Sequence, residues 1–200
     1  MKIIGLTGPS GAGKGFCYSL FSKHNIPCID TDKVYHDLLA PPSSCVDELV
    51  VTFGAEILDQ SGTVNRKKLA DIVFSDESKS KLECLNKITH KFVLEKTKRL
   101  IESYEQDNKK AVVVDAPLLF EADFDKFCDF SIAVICDTSI RLKRIMTRDS
   151  ITEEAALMRI NSQNPDDFYT TRAKYTVCND CDKAALDRRL EGILRLEKIL

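Results

Sequence analysis

The stretch Lys2–Phe16, KIIGLTGPSGAGKGF, sets a strand-like apolar run directly before a glycine-rich loop, and a helical pattern follows it. That is the layout of a phosphate-binding P-loop. Gly8, Gly13 and Lys14 occupy the first seven positions of G-x-x-x-x-G-K-[ST], and Gly11 adds a residue without Cβ where backbone must curl around an anion. Backbone N–H groups converge on phosphate oxygens only where the chain visits conformations that a side chain disfavours. The helix beyond the loop turns its positive dipole end to the same phosphates, and Lys14 brings a mobile cation. The loop residues Gly8, Pro9, Ser10, Gly11, Ala12, Gly13, Lys14, Gly15 and Phe16 are therefore the candidate nucleotide contacts. A dinucleotide fingerprint fails on spacing, because Gly11 and Gly13 would require glycine where Phe16 stands. The eighth motif position, normally a Mg²⁺-holding hydroxyl, is Gly15. Either carboxylates elsewhere hold the metal through water, or ATP chemistry here is weak.

Two hundred residues can bury one sizeable core, with room for one inserted subdomain. With 29 basic and 31 acidic residues the net charge is -2, which argues against nucleic-acid binding through general basicity. No run approaches the roughly 18 apolar residues of a membrane span, and the apolar stretch after Lys2 is too short for a signal peptide. A soluble cytoplasmic protein is expected, with a monomer favoured. The eight cysteines are scattered singly through apolar stretches and read mostly as reduced core residues. Cys178 and Cys181 form a C-x-x-C, but no second pair exists to complete a tetrahedral zinc site.

Along the chain, Gly13–His24 reads as a helix with Phe16, Leu20 and Phe21 on one face, followed by a short buried strand over Ile26–Ile29. Asp30-Thr31-Asp32 comes next, where an open α/β sheet presents its site. One Asp is expected to cap the helix beginning near Lys33 and the other, Asp32, to work. Pro41-Pro42 stops that helix, and residues 43–108 show helical periods only: Cys45–Phe53, Arg66–Phe74 capped by Asn65, and Thr89–Tyr104. Such an insertion suits an acceptor pocket. Arg66 either meets a phosphate-bearing substrate or lies on a solvated face, and His90 is a lone histidine on a helix. Ala111–Val114 is a β-branched strand ending in Asp115, placed like a Walker B carboxylate that binds Mg²⁺ directly or through water. Ser131–Ile135 is a fourth strand, and a helix over Thr138–Arg148 carries Arg141, Arg144 and Arg148, the last two sharing a face. Thr152 opens a helix reaching Asn164-Pro165, Tyr175–Cys178 is a fifth strand, and Asp182–Ile199 is a closing amphipathic helix.

The alternation predicts an α/β fold: a five-stranded parallel sheet of the P-loop kinase type over residues 1–200, with a helical acceptor-binding insertion at 43–108 and a small lid at 144–165. The whole chain resembles dephospho-CoA kinases. The likeness rests on GLTGPSGAGKG, IPCIDTDKVYHDLL, GTVNRKKLADIVF, PLLFE at Pro117–Glu121, RLKRIMTRD, Gln163 and Asn179, in that order. It departs at Gly15-Phe16, where the family has Ser-Thr, and at His90-Lys91, where it has His-Pro; GAGKG itself is similar to the loop of adenylate kinases. The resemblance implies phosphoryl transfer from ATP, with Mg²⁺, to the ribose 3′-hydroxyl of dephospho-CoA. It implies Asp32 as base or metal ligand, Asp115 as metal carboxylate, Lys14, Arg144 and Arg148 as stabilisers of the transferring group, and Arg66, His90, Leu118 and Glu121 near the acceptor. Asn179 is either a turn residue or one that surrounds adenine. The rival readings are a nucleoside monophosphate kinase and a nucleotide-binding regulatory protein without catalysis.

Overall fold

In the computed structural model, which describes residues 1–76, 78–180 and 183–200, the chain divides into two compact units. One comprises Met1–Ile29 with Ile101–Leu200, the other Asp30–Leu100.

The first unit is built on a five-stranded parallel sheet of order β2-β3-β1-β4-β5, with β1 Lys2–Thr7, β2 Cys28–Asp30, β3 Ala111–Asp115, β4 Phe130–Ile135 and β5 Tyr175–Cys178. β1 is central, with β3 and β4 as its neighbours, so the chain leaves it toward one edge and later crosses to the other. The carboxyl end of β1 is thus the switch point where open α/β sheets bind ligands. The register pairs Leu6 with Asp115 and Thr7 with Ala133, which brings the ends of β3 and β4 alongside the loop that leaves β1. Every residue of β3 is buried, which is why its sequence, AVVVD, shows no polar alternation. Ile4, Leu6, Val113, Ile132 and Val134 form a core with α1 (Lys14–Lys23) and the last helix.

Helix α1 buries Cys17, Leu20 and Phe21, not Phe16, which is 51% exposed. Phe16 precedes Cys17 by about 100° of helical rotation, and so leaves the face expected for it. Strand β2 begins two residues later than expected because Ile26 N–H donates back to Phe21 O, closing the end of α1.

Unit two holds α2 (Thr31–Leu38), α3 (Ser44–Phe53), α4 (Arg66–Phe74) and most of α5 (Ser80–Gln106). Its core includes Leu39, Val46, Leu49, Phe53, Leu69 and Ile88. Tyr35 and Leu38 of α2 and Leu39 after it join the same cluster. Asn65 Oδ1 accepts from Lys67 N and Lys68 N and starts α4 as expected. Helix α5 starts well before Thr89, where Asp76 Oδ2 accepts from Lys81 N at 2.9 Å and from Ser80 Oγ.

Back in the first unit, α6 (Thr138–Asp149) and α7 (Glu153–Asn161) share a small core of Ile145, Ala156 and Ile160. α7 stops at Asn161, short of the expected Pro165, and α8 (Asp166–Thr170) follows that proline. The last helix, α9 (Lys183–Leu196), ends before the expected Ile199. Its expected first residue, Asp182, and the Cys181 of the C-x-x-C lie outside the described residues. No helix among the described residues is long and apolar enough to cross a membrane.

The described cysteines are all free thiols. Burial pushes Cys17, Cys28 and Cys128 up to about 12, with the Asp115 charge adding to the first two. At pH 8 such thiols carry roughly one part in 10⁴ of thiolate, the form that reacts. Ellman's reagent should therefore label them at least about 100-fold more slowly in the native protein than in urea. Because their pKa is raised in the folded state, the unfolded chain loses these protons first. Their contribution to stability is full below about pH 9 and is lost as pH rises toward 12. Urea midpoints should fall from pH 8 to pH 10; rapid native labelling, or a midpoint rising over that range, would contradict the burial.

Candidate active site

The loop between β1 and α1 has its shape imposed by residues far away in sequence. At Gly8, with φ of 137°, a Cβ would sit 2.1 Å from Val134 O, so the loop leaves β1 pressed against the backbone of β4. Gly13, with φ of 90°, ends it: a Cβ there would lie 2.2 Å from Asn179 Nδ2. Both positions combine a left-handed backbone with a contact no side chain tolerates.

Between these glycines the carbonyls are held by side chains. Lys14 Nζ donates to Gly8 O at 3.0 Å. Arg141 Nε donates to Ser10 O at 3.0 Å, while its Nη2 donates to Gln163 Oε1, which also accepts from Ser10 N. Arg144 Nη1 lies 3.3 Å from both Gly11 O and Ala12 O, and its Nη2 donates to Asn179 O. Asn179 Nδ2 completes the set with a 2.7 Å bond to Ala12 O. Arg141 is 4% exposed and Asn179 3%, so these bonds form in a region of low dielectric, where hydrogen bonds of a charged donor are strong. Arg141 is also compensated by Asp166, 3.5 Å from its Nη1.

The end of β3 brings Asp115 to the same place. Its Oδ1 lies 4.0 Å from Lys14 Nζ, and Tyr18 donates its phenol to Oδ2 at 2.5 Å. Arg148 is 57% exposed, reaches Ser10 Oγ at 3.2 Å through Nη2, and is tied to Asp149, which also pairs with Arg159. The Phe16 ring lies under the Arg144 guanidinium, 5.5 Å from its centroid. Leu118 is 50% exposed, and Glu121 Oε1 accepts from Asn164 Nδ2 at 2.7 Å.

The structure thus brings together Lys14, Asp115, Arg144, Arg148 and Asn179. Asn179 is a buried brace of the loop, not an ordinary turn residue. Two residues escaped the sequence reading in any role here: Arg141, visible only as one more arginine on α6, and Tyr18, one helical turn beyond Lys14. Among the residues of the second unit, Asp30 is the capping carboxylate, accepting from Asp32 N and Lys33 N. Asp32 is exposed in the first turn of α2, which begins at Thr31. Arg66 Nη1 lies 3.4 Å from His36 Nε2. His90 is half-buried, and that burial holds its imidazole below the usual range and so neutral at pH 7.

Residues 2–185 match the family described as CoaE, dephospho-CoA kinase. The chain belongs to the dephospho-CoA kinase family. A Lactobacillus johnsonii member is 35% identical over 192 residues, covering 96% of each chain, and a Fusobacterium nucleatum member is 38% identical over 191 residues with the same coverage. A solved structure from Thermus thermophilus superposes with a TM-score of 0.78 at 26% identity, over 97% of this chain and 96% of that one. As a family member the protein is a kinase, an ATP-dependent phosphotransferase.

Removing the Asn179 amide leaves Ala12 O with one donor fewer and opens space beside Gly13. Asn179→Ala should lower stability by about 1–3 kcal/mol, read from urea unfolding, and should weaken ADP binding. An unchanged unfolding midpoint would show that the amide does not hold the loop.

Proposed function

We propose that the protein transfers the γ-phosphoryl group of ATP to the 3′-hydroxyl of the dephospho-CoA ribose, giving CoA and ADP. The observation that carries this reading is the loop whose carbonyls are engaged by Lys14, Arg141, Arg144 and Asn179, which fixes the turns that a phosphate-binding loop uses to aim N–H groups at an anion. Phosphoryl transfer demands positioning and charge stabilisation more than covalent chemistry, and this loop supplies both. Lys14 would leave Gly8 O for the β- and γ-phosphates. Arg148, exposed and already at Ser10, would leave Asp149 to meet the transferring group, with Arg144 beside the loop.

Among the described residues no cluster of three or more His, Cys, Asp or Glu side chains can hold a metal unaided. A Mg²⁺ that travels with ATP does not need one. It keeps waters, takes phosphate oxygens, and asks the protein for one or two carboxylates. Asp115, a hard oxygen donor at the end of β3 beside Lys14, fits that demand. When bound, the cation neutralises charge shared by the β- and γ-phosphates.

Asp32 is the proposed proton acceptor for the ribose hydroxyl. Its neighbour Asp30 caps α2, and Asp32 lies on the exposed first turn of that helix, where a carboxylate can align a hydroxyl and accept its proton. Residues 43–108 are assigned to acceptor binding, with Arg66 and His90 among them, and residues 144–165 to a lid. Leu118 and Glu121 contact the acceptor, and the loop residues Pro9, Gly15 and Phe16 contact the nucleotide.

The test is ADP formation from ATP and Mg²⁺ with dephospho-CoA, AMP, CMP or pantetheine phosphate as acceptor. Turnover should require dephospho-CoA; comparable turnover of AMP would make the protein a nucleoside monophosphate kinase. With dephospho-CoA as acceptor, Asp32→Asn should lower kcat by about 10² to 10⁴, the range of general-base loss, with ATP affinity changed only a few-fold. A near-normal kcat would remove Asp32 from the base role. Loss of Mg²⁺-dependent ATP binding would reassign it to the metal.

A further inference from the structure

In the usual form of the phosphate loop, the hydroxyl directly after the lysine and the carboxylate at the end of a neighbouring strand hold the cation together. Gly15 removes that hydroxyl, and Asp115 has a different hydroxyl beside it. Tyr18 follows Lys14 by one helical turn and so shares its face of α1. Its phenol donates to Asp115 Oδ2 at 2.5 Å, while Lys14 Nζ stands 4.0 Å from Oδ1. An O–H donor on a carboxylate at that distance makes a strong, orienting hydrogen bond. Tyr18 is partly buried and Asp115 is 8% exposed, so little water competes for the contact. Asp115 stands in register with Leu6, a fully buried residue of β1.

We infer that Tyr18 is a positioning residue for the divalent cation, fixing the Asp115 carboxylate in place of the hydroxyl that Gly15 lacks. The inference rests on the reading of Asp115 as the carboxylate that faces the metal. The phenol arrives from one turn along the helix, through a longer side chain, and meets the carboxylate instead of the cation. It therefore acts by orienting a ligand, a role whose loss typically costs 10- to 100-fold in metal affinity. The same geometry says how to restore the missing group. A Cβ added at Gly15 meets nothing within 4 Å, and the residue lies in the first turn of α1 without a left-handed backbone, so serine is accommodated there.

Mn²⁺ binding to the ADP complex, followed by electron paramagnetic resonance of free Mn²⁺, reads the site without turnover. Tyr18→Phe, which keeps the ring and removes the hydroxyl, should weaken Mn²⁺ about 10- to 100-fold, with metal-free ADP affinity within about twofold. Adding Gly15→Ser to Tyr18→Phe should recover most of that loss. Asp115→Asn separates the two levels of the argument. If it leaves Mn²⁺ affinity unchanged, the metal reading of Asp115 fails. If it weakens Mn²⁺ and Tyr18→Phe does not, the role of Tyr18 is overturned while the metal reading survives. A loss of Mn²⁺ affinity in Tyr18→Phe matched by an equal loss of metal-free ADP affinity would mean that the hydroxyl supports the loop and not the metal carboxylate, and would also overturn the proposal.

Discussion

An anion-binding loop has to solve a problem of its own making: the turns that aim its N–H groups at phosphate leave its carbonyls without partners in secondary structure. Here side chains supply the partners. Lys14 takes Gly8 O, Arg141 takes Ser10 O, and Arg144 with Asn179 takes Gly11 O and Ala12 O. Three of these four donors are cations, so the loop is lined on its carbonyl side by positive charge that also favours the nucleotide's phosphates. The cost of burying Arg141 is offset by Asp166 and by Gln163, which bonds Ser10 N as well.

The sheet order explains why such distant residues meet. Placing β1 between β3 and β4 puts the β1 loop beside the end of β3, which carries Asp115, and beside the turn after β4, where α6 begins. β5 lies next to β4, and Asn179 follows it directly, its N–H donating to Ile135 O at the end of β4. Each brace therefore comes from a segment that the parallel topology delivers to one end of the sheet. Arg141 and Asn179 stand 131 and 167 positions along the chain from the loop residues they hold, and a hydrogen bond away in space.

This division also marks what was legible in the sequence. The strand–loop–helix order of KIIGLTGPSGAGKG, the D-x-D at the end of β2 and the caps at Asp30 and Asn65 are local signals, and the structure carries them. Local phase was harder: Phe16 looked like a core residue because it is apolar and near Leu20, yet one residue of phase turns it outward onto Arg144. Helix α5 begins earlier than its apolar period indicates because its first turns are polar, and its start depends on the Asp76 carboxylate rather than on an apolar stripe. Long-range pairing was not legible at all. Nothing in the spacing of Arg141, Arg144 and Arg148 says that the first is buried against Ser10 O while the last stays exposed. Tyr18 likewise shows its partner only once β3 is in register with β1.

The central claim is that side chains outside the loop preset its phosphate-binding shape. Arg141 tests it best, since it is buried, bonds loop backbone, Gln163 and Asp166, and takes no part in the transfer. The measurement is hydrogen exchange at the amides of residues 10–15 in wild type and Arg141→Met, together with ADP affinity by calorimetry. Faster exchange at these amides and ADP binding weakened by about tenfold, roughly the 1.5 kcal/mol worth of one charge-assisted hydrogen bond, are the expected results. Unaltered exchange with unaltered ADP affinity would mean that the loop holds its shape alone, contrary to this account.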